Sequence, residues 1–168
     1  ALHSLALKLT HTGQLAEAHQ LFDQLEPSWT PRYDIAKELG SAFIRIGQAE
    51  TAIEIAYTIE DKKWQVYVLT ELVVGLAHSQ QSHLAEETMS QLSQLIEATS
   101  ETELKNSQLY NLVVALVRCG RFIDAQNLIS DLRGNQILEN DWNTLPTVFA
   151  ETGYWSEALE HIVAKDPI

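Results

Sequence analysis

Six histidines and a single cysteine are the side chains of this sequence best suited to moving protons, holding a transition metal or attacking an electrophile. The histidines, His3, His11, His19, His78, His83 and His161, fall in no His-Glu-x-x-His pair, the spacing that sets two imidazoles on one helix face around zinc. His83 with Glu86 and Glu87 has a spacing that could hold a metal weakly, and a solvated helix face explains it better. Cys119 can form no internal disulfide and cannot by itself hold a structural zinc. It sits between Arg118 and Gly120, where positive charge could lower a thiol pKa, although a small residue filling a helix end needs no reactivity. Neither a glycine-rich phosphate cradle nor a Gly-x-Ser-x-Gly elbow occurs. The chemistry-bearing residues therefore point away from an enzyme, and no cofactor or metal is expected.

What the remaining residues can do is bounded by composition. Eleven Lys and Arg against 23 Asp and Glu give the 168 residues a formal charge of −12. Such a chain is repelled by phosphate backbones and anionic lipid unless its cations are gathered on one face, and no basic run gathers them, so nucleic acid and membrane are not expected partners. No apolar run approaches the roughly 20 residues that span a bilayer; Leu109 to Val117 is broken by Tyr110 and Asn111. A lone cysteine suits a reducing compartment such as the cytoplasm. The 45% hydrophobic content is enough for a folded core. A start at Ala1 reads as a piece of a longer chain.

Repeats organise the chain. Gly13 to Ala18, Gly47 to Ala52, Gly120 to Ala125 and Gly153 to Ala158 each place a glycine five residues before an alanine, and Gln80 to Ala85 is a degenerate copy without the glycine. The alanines recur at intervals of 34, 33, 40 and 33 residues. On either side of a signature lie apolar residues at three-and-four spacing, such as Leu109, Leu112, Val113 and Leu116 before Gly120, then Ala125, Leu128, Ile129 and Leu132 after it. That spacing puts them on one stripe of a helix. Each repeat is expected to be a helical hairpin turned by its glycine, and a lone hairpin cannot bury both stripes, so neighbours must stack. The interval of 40 is expected to lengthen the second helix of the third unit through Met89, Leu92, Leu95 and Ile96, either as a tolerated extension or as a projecting edge. Ser100 to Glu103 has capping-box spacing for the next helix, and a looser junction is expected between Asp131 and Asp141, with Pro146 close behind.

The pattern resembles the tetratricopeptide repeats over nearly the whole chain. Its best copy runs from Ala36 through Leu39, Gly40, Phe43 and Gly47 to Ala52, and Trp142 with Leu145 matches the start of the family's first helix in the last copy. The Leu-Gly pair occurs once, and the closing proline of each unit is mostly absent. The resemblance implies an all-α, right-handed α-solenoid of about five antiparallel helix-turn-helix repeats in one domain, with units near 1–31, 32–64, 65–104, 105–138 and 139–168.

In that family the first helices line a concave groove, which implies a non-catalytic scaffold for a peptide or protein segment. Counting back from each turn places Leu7, Ser41, Val74, Val114 and Thr147 at six residues, and Thr10, Ile44, Ala77, Val117 and Ala150 at three, as a mostly apolar floor. His3, Lys37, Thr70, Tyr110 and Asn143 stand at ten, and His11, Arg45, His78, Arg118 and Glu151 at two. The cations at two residues can complement the negative end of a helix dipole or hold an acidic peptide. The expected groove residues are Lys37, Ile44, Arg45, Tyr67, Val74, His78, Tyr110, Asn111, Val114, Val117 and Arg118. The family's carboxylate clamp is not carried over: only Lys37 and Asn111 suit it, and Glu38 and Glu71 oppose it. Trp155 is expected in the core and Trp64 half exposed. The alternative expectation is a structural segment that self-associates through open solenoid ends.

Overall fold

The computed structural model describes residues 2–26 and 29–134. Among them are eight α-helices and no strand: α1 (Leu2–His11), α2 (Leu15–Asp23), α3 (Pro31–Arg45), α4 (Ala49–Tyr57), α5 (Lys62–His78), α6 (Ser82–Glu97), α7 (Thr102–Arg118) and α8 (Phe122–Gly134). The protein is thus all-α over this span. The fifth repeat signature, Gly153 to Ala158, lies outside the described residues, as do Trp142, Asn143, Leu145, Pro146, Thr147, Ala150, Glu151, Trp155 and the Asn135–Asp141 part of the expected loose junction.

The four remaining signatures become four turns of one geometry. Gly13, Gly47 and Gly120 adopt φ of 80°, 82° and 74°, and Gln80 follows them at 61°. In each turn the next residue's N–H reaches back five positions to a carbonyl: Gln14 to Leu9, Gln48 to Phe43, Gln81 to Leu76 and Arg121 to Leu116, at 2.8–3.0 Å. This is a Schellman ending, and its left-handed residue is the reason for glycine at three of the four sites.

The chain divides into two compact units, Ala1–Ala98 and Thr99–Ile168. In the first, α1 with α2, α3 with α4, and α5 with α6 pair as hairpins; α3 packs on α1 and α2 of the hairpin before it, and α5 packs on α3 and α4 in the same way. The first helices therefore lie side by side, and the apolar stripes close into a core that includes Phe22, Ile35, Leu39, Ile55, Leu69, Leu72, Leu76, Leu92 and Ile96. Each such side chain withdrawn from water contributes about 1.5–3 kcal/mol. The glycine of the Leu-Gly pair admits close approach: a Cβ on Gly40 would stand 2.7 Å from Leu72 Cδ2. In the second unit α7 and α8 pair as a hairpin.

The long repeat interval is absorbed by α6, which has 16 residues against nine in α2 and in α4. Leu92 and Ile96 of the extension are fully buried, and the Tyr57 hydroxyl donates to Gln91 Oε1 at 2.6 Å, so the added turns pack against the unit rather than project from it. The helix start expected at Ser100 falls one residue later. Helix α7 begins at Thr102 with Glu101, not Ser100, in the N-cap position, and the Glu101 side chain makes no cap bond. Asp61, by contrast, caps α5, accepting from the N–H groups of Lys63 at 2.9 Å and Trp64 at 3.3 Å.

Candidate functional site

The first helices of the first unit carry one stripe that neighbouring helices do not cover. On α3 it consists of Asp34, Lys37, Glu38, Ser41 and Arg45; on α5, of Trp64, Tyr67, Glu71, Gly75 and His78; on α1, of Ser4, Leu7, Lys8 and His11, all exposed or half-buried. The three-and-four spacing of each set places it on one side of its helix. Its most distinctive part is aromatic. Trp64 stacks on the buried ring of Tyr33 with centroids 5.1 Å apart and planes at 20°, and Tyr67 meets Trp64 edge-on at 5.8 Å. Lys63 Nζ stands 5.7 Å from the Trp64 ring centre. The Asp61 cap and the Tyr33 stack fix the Trp64 ring, which leaves part of its surface and part of Tyr67 open to solvent. Lys37 pairs with Glu38 at 3.6 Å.

Several residues placed on the groove floor by counting along the helices lie elsewhere. Ile44 and Val74 are 3% exposed and Val117 is fully buried, so they are packing residues that no ligand reaches. Ile44 shows one cause: its Cδ1 lies 3.5 Å from the Cβ position of Gly75, so it faces the neighbouring first helix α5. Thr10 and Thr70 are also buried, each with its hydroxyl donating to the carbonyl four residues back. Lys37 and Tyr67 are half-buried and Arg45 and His78 exposed on the first unit's stripe. In the second unit Tyr110, Asn111, Val114 and Arg118 are half-buried along α7. His11, Arg45, His78 and Arg118 are each the last residue of their helix, where a cation complements the negative end of the dipole by about 0.3–1 kcal/mol. Arg45 and Arg118 can fill that role with or without a ligand on the row.

Arg32 and Gln65 were not singled out from the sequence. Arg32, 5% exposed, donates from Nη1 to the carbonyls of Phe22, at 3.2 Å, and Leu25, and from Nη2 to Thr58 Oγ1 at 3.2 Å; its guanidinium lies 4.0 Å from the Phe22 ring centre. Burial lowers its pKa below the ordinary arginine value, and Asp23, Glu60 and Tyr33 oppose that shift. Gln65 donates from Nε2 to the carbonyls of Tyr57 at 3.3 Å and Ile59 at 3.1 Å. Both residues stand fifteen positions before their turn, and Leu25 and Ile59 occupy one register position, so each side chain ties its helix to the end of the preceding hairpin. The signal was present: Lys105, a third long donor, holds the same place before Gly120.

Among the described residues no three His, Cys, Asp or Glu side chains come together as a metal site; His83, Glu86 and Glu87 are exposed on α6. Burial pushes the Cys119 thiol above its ordinary pKa despite Arg121 and Arg118, so the lowered pKa considered from sequence is not found. Comparison with protein-family models, curated proteins and solved structures returns no match for this chain.

Proposed function

We propose that this chain is a non-catalytic protein–protein interaction scaffold, a tetratricopeptide-like, right-handed α-solenoid that holds a peptide or protein segment along its first helices. The observation that carries the reading is the half-open Trp64–Tyr67 pair, held by the buried Tyr33 and set between the charged side chains of α3 and α5. Rigid aromatic side chains with one open edge supply contact area at low entropic cost, which is why they dominate recognition sites. Lys37 on α3 and Glu71 on α5 share the stripe with that pair and favour a segment of mixed charge with an apolar anchor. The chain works in this reading inside a reducing compartment such as the cytoplasm.

The test is selection of peptides from a displayed random library on the intact chain, followed by affinity measurement on Tyr67→Ala, Lys37→Glu and a distant control, Glu54→Ala on α4. Selected peptides should lose about tenfold or more on Tyr67→Ala and be unchanged on the control. Peptides indifferent to both Tyr67→Ala and Lys37→Glu, in variants with unaltered helical spectra, would remove the stripe from consideration.

A further inference from the structure

We infer that the face of α1 bearing Leu2 and Leu5 is a docking surface for a helical hairpin of this repeat's own kind. The repeat register supplies the argument. Leu2 corresponds to Ala36 of α3 and Leu69 of α5, and Leu5 to Leu39 and Leu72. The four later residues are all 0% exposed, whereas Leu2 is 48% and Leu5 45% exposed. Leu9, half-buried, likewise corresponds to the buried Phe43 and Leu76. What covers the later faces is known: α3 lies on α1 and α2, and α5 on α3 and α4, a complete hairpin each time. The α1 face continues that same interface by one step and meets water.

The register also specifies the occupant's chemistry. Leu72, the counterpart of Leu5, nests where Gly40 lacks a side chain, and the residue that corresponds to Gly40 in α1 is Ala6. The docking hairpin therefore carries glycine or alanine opposite Leu5 on its first helix, with aliphatic residues around it. A second copy meeting this face leucine to leucine is the poorer occupant: two half-exposed leucines fall far short of the roughly 800 Å² per partner that holds a free-standing dimer. This inference concerns the flank of α1 and is independent of ligand binding on the stripe.

The probe is a copy of the chain's own residues 31–67 placed directly ahead of Ala1 in the full chain. It continues the repeat in register, because Val68 and Ala1 both stand twelve positions before their turn residues. The extended chain should unfold at a temperature higher by about 2 °C or more, with slower amide exchange along α1. Leu5→Asp should be nearly silent in the natural chain and lower the midpoint of the extended one by about 4 °C or more. An equal effect of Leu5→Asp in both chains, unprotected α1 amides, or loss of helical content in the extended chain would overturn the inference. Self-association of the natural chain that Leu5→Asp abolishes would overturn it in favour of a second copy.

Discussion

Replacing Arg32 should reveal how much of the first unit's stability rests on one side chain that ties two helix ends. Its guanidinium makes three hydrogen bonds, to the carbonyls of Phe22 and Leu25 and to the Thr58 hydroxyl, and faces the Phe22 ring. With about 1 kcal/mol net for each hydrogen bond and about 0.5–2 kcal/mol for the cation against the ring, Arg32→Ala should cost about 3–5 kcal/mol. That is a large share of the roughly 5–15 kcal/mol that separates folded from unfolded domains. Replacing a buried ion pair by apolar residues is often harmless, yet here the acceptors are backbone carbonyls that remain after the substitution. Arg32→Met, which keeps the stem and loses the donors, should therefore still cost about 2–3 kcal/mol. Arg32→Gln should cost least, because Gln65 performs the same task with an amide in the next repeat. The measurement is urea unfolding with linear extrapolation, followed through amide signals of α2 to α5 so that the first unit is read by itself. Arg32→Met within about 0.5 kcal/mol of wild type, or Arg32→Gln no better than Arg32→Met, would refute the argument.

Other consequences are simpler to check. Gln80 occupies the left-handed position that glycine fills in the other three described turns, so Gln80→Gly should raise stability by up to about 1 kcal/mol in the same urea assay; a loss would contradict the steric account. The Tyr33 hydroxyl is raised above its ordinary pKa by burial, then by Asp61 and Glu60, with Arg32 opposing. Folding favours its protonated form, so the unfolded chain ionises first, and the stability it contributes at neutral pH is lost as pH climbs past about 10. Tyr33→Phe should flatten that alkaline decline, and an unchanged slope would show that other groups cause it. Cys119, its thiol raised by burial, should react with iodoacetamide at pH 8 more slowly than a free cysteine. A faster reaction would reverse the electrostatic reading.

The apolar period and the signature glycines made the hairpins legible before any coordinates, since both act locally: the stripe selects the helix and the left-handed residue ends it. The same reasoning located the long second helix, because an insertion whose residues keep the stripe can only continue it. Burial within the first helices was less legible. Ile44 and Val74 were assigned to a groove by position in a family pattern, whereas their burial depends on the side chains packed against them, as Gly75 lets α5 approach Ile44. Arg32 and Gln65 escaped because the search for periodicity weighs apolar residues, and a buried polar tie reads in sequence as one more surface position.

The ties and the open stripe are nevertheless parts of one arrangement. Gln65 lies two residues from Tyr67 and next to Trp64, and it anchors the start of α5 to the end of α4 while Asp61 caps the same turn. A helix start held by both a cap and a tie has little freedom to roll, so the two aromatic rings beside them are held in place. Tyr33 adds the third constraint from α3, the helix whose own start Arg32 secures. Position fifteen before the turn thus fixes the helix, and positions sixteen and thirteen present its rings. On the proposed reading, a substitution at the tie should then act on peptide binding through the placement of Trp64 and Tyr67, even though the tied side chain itself is buried.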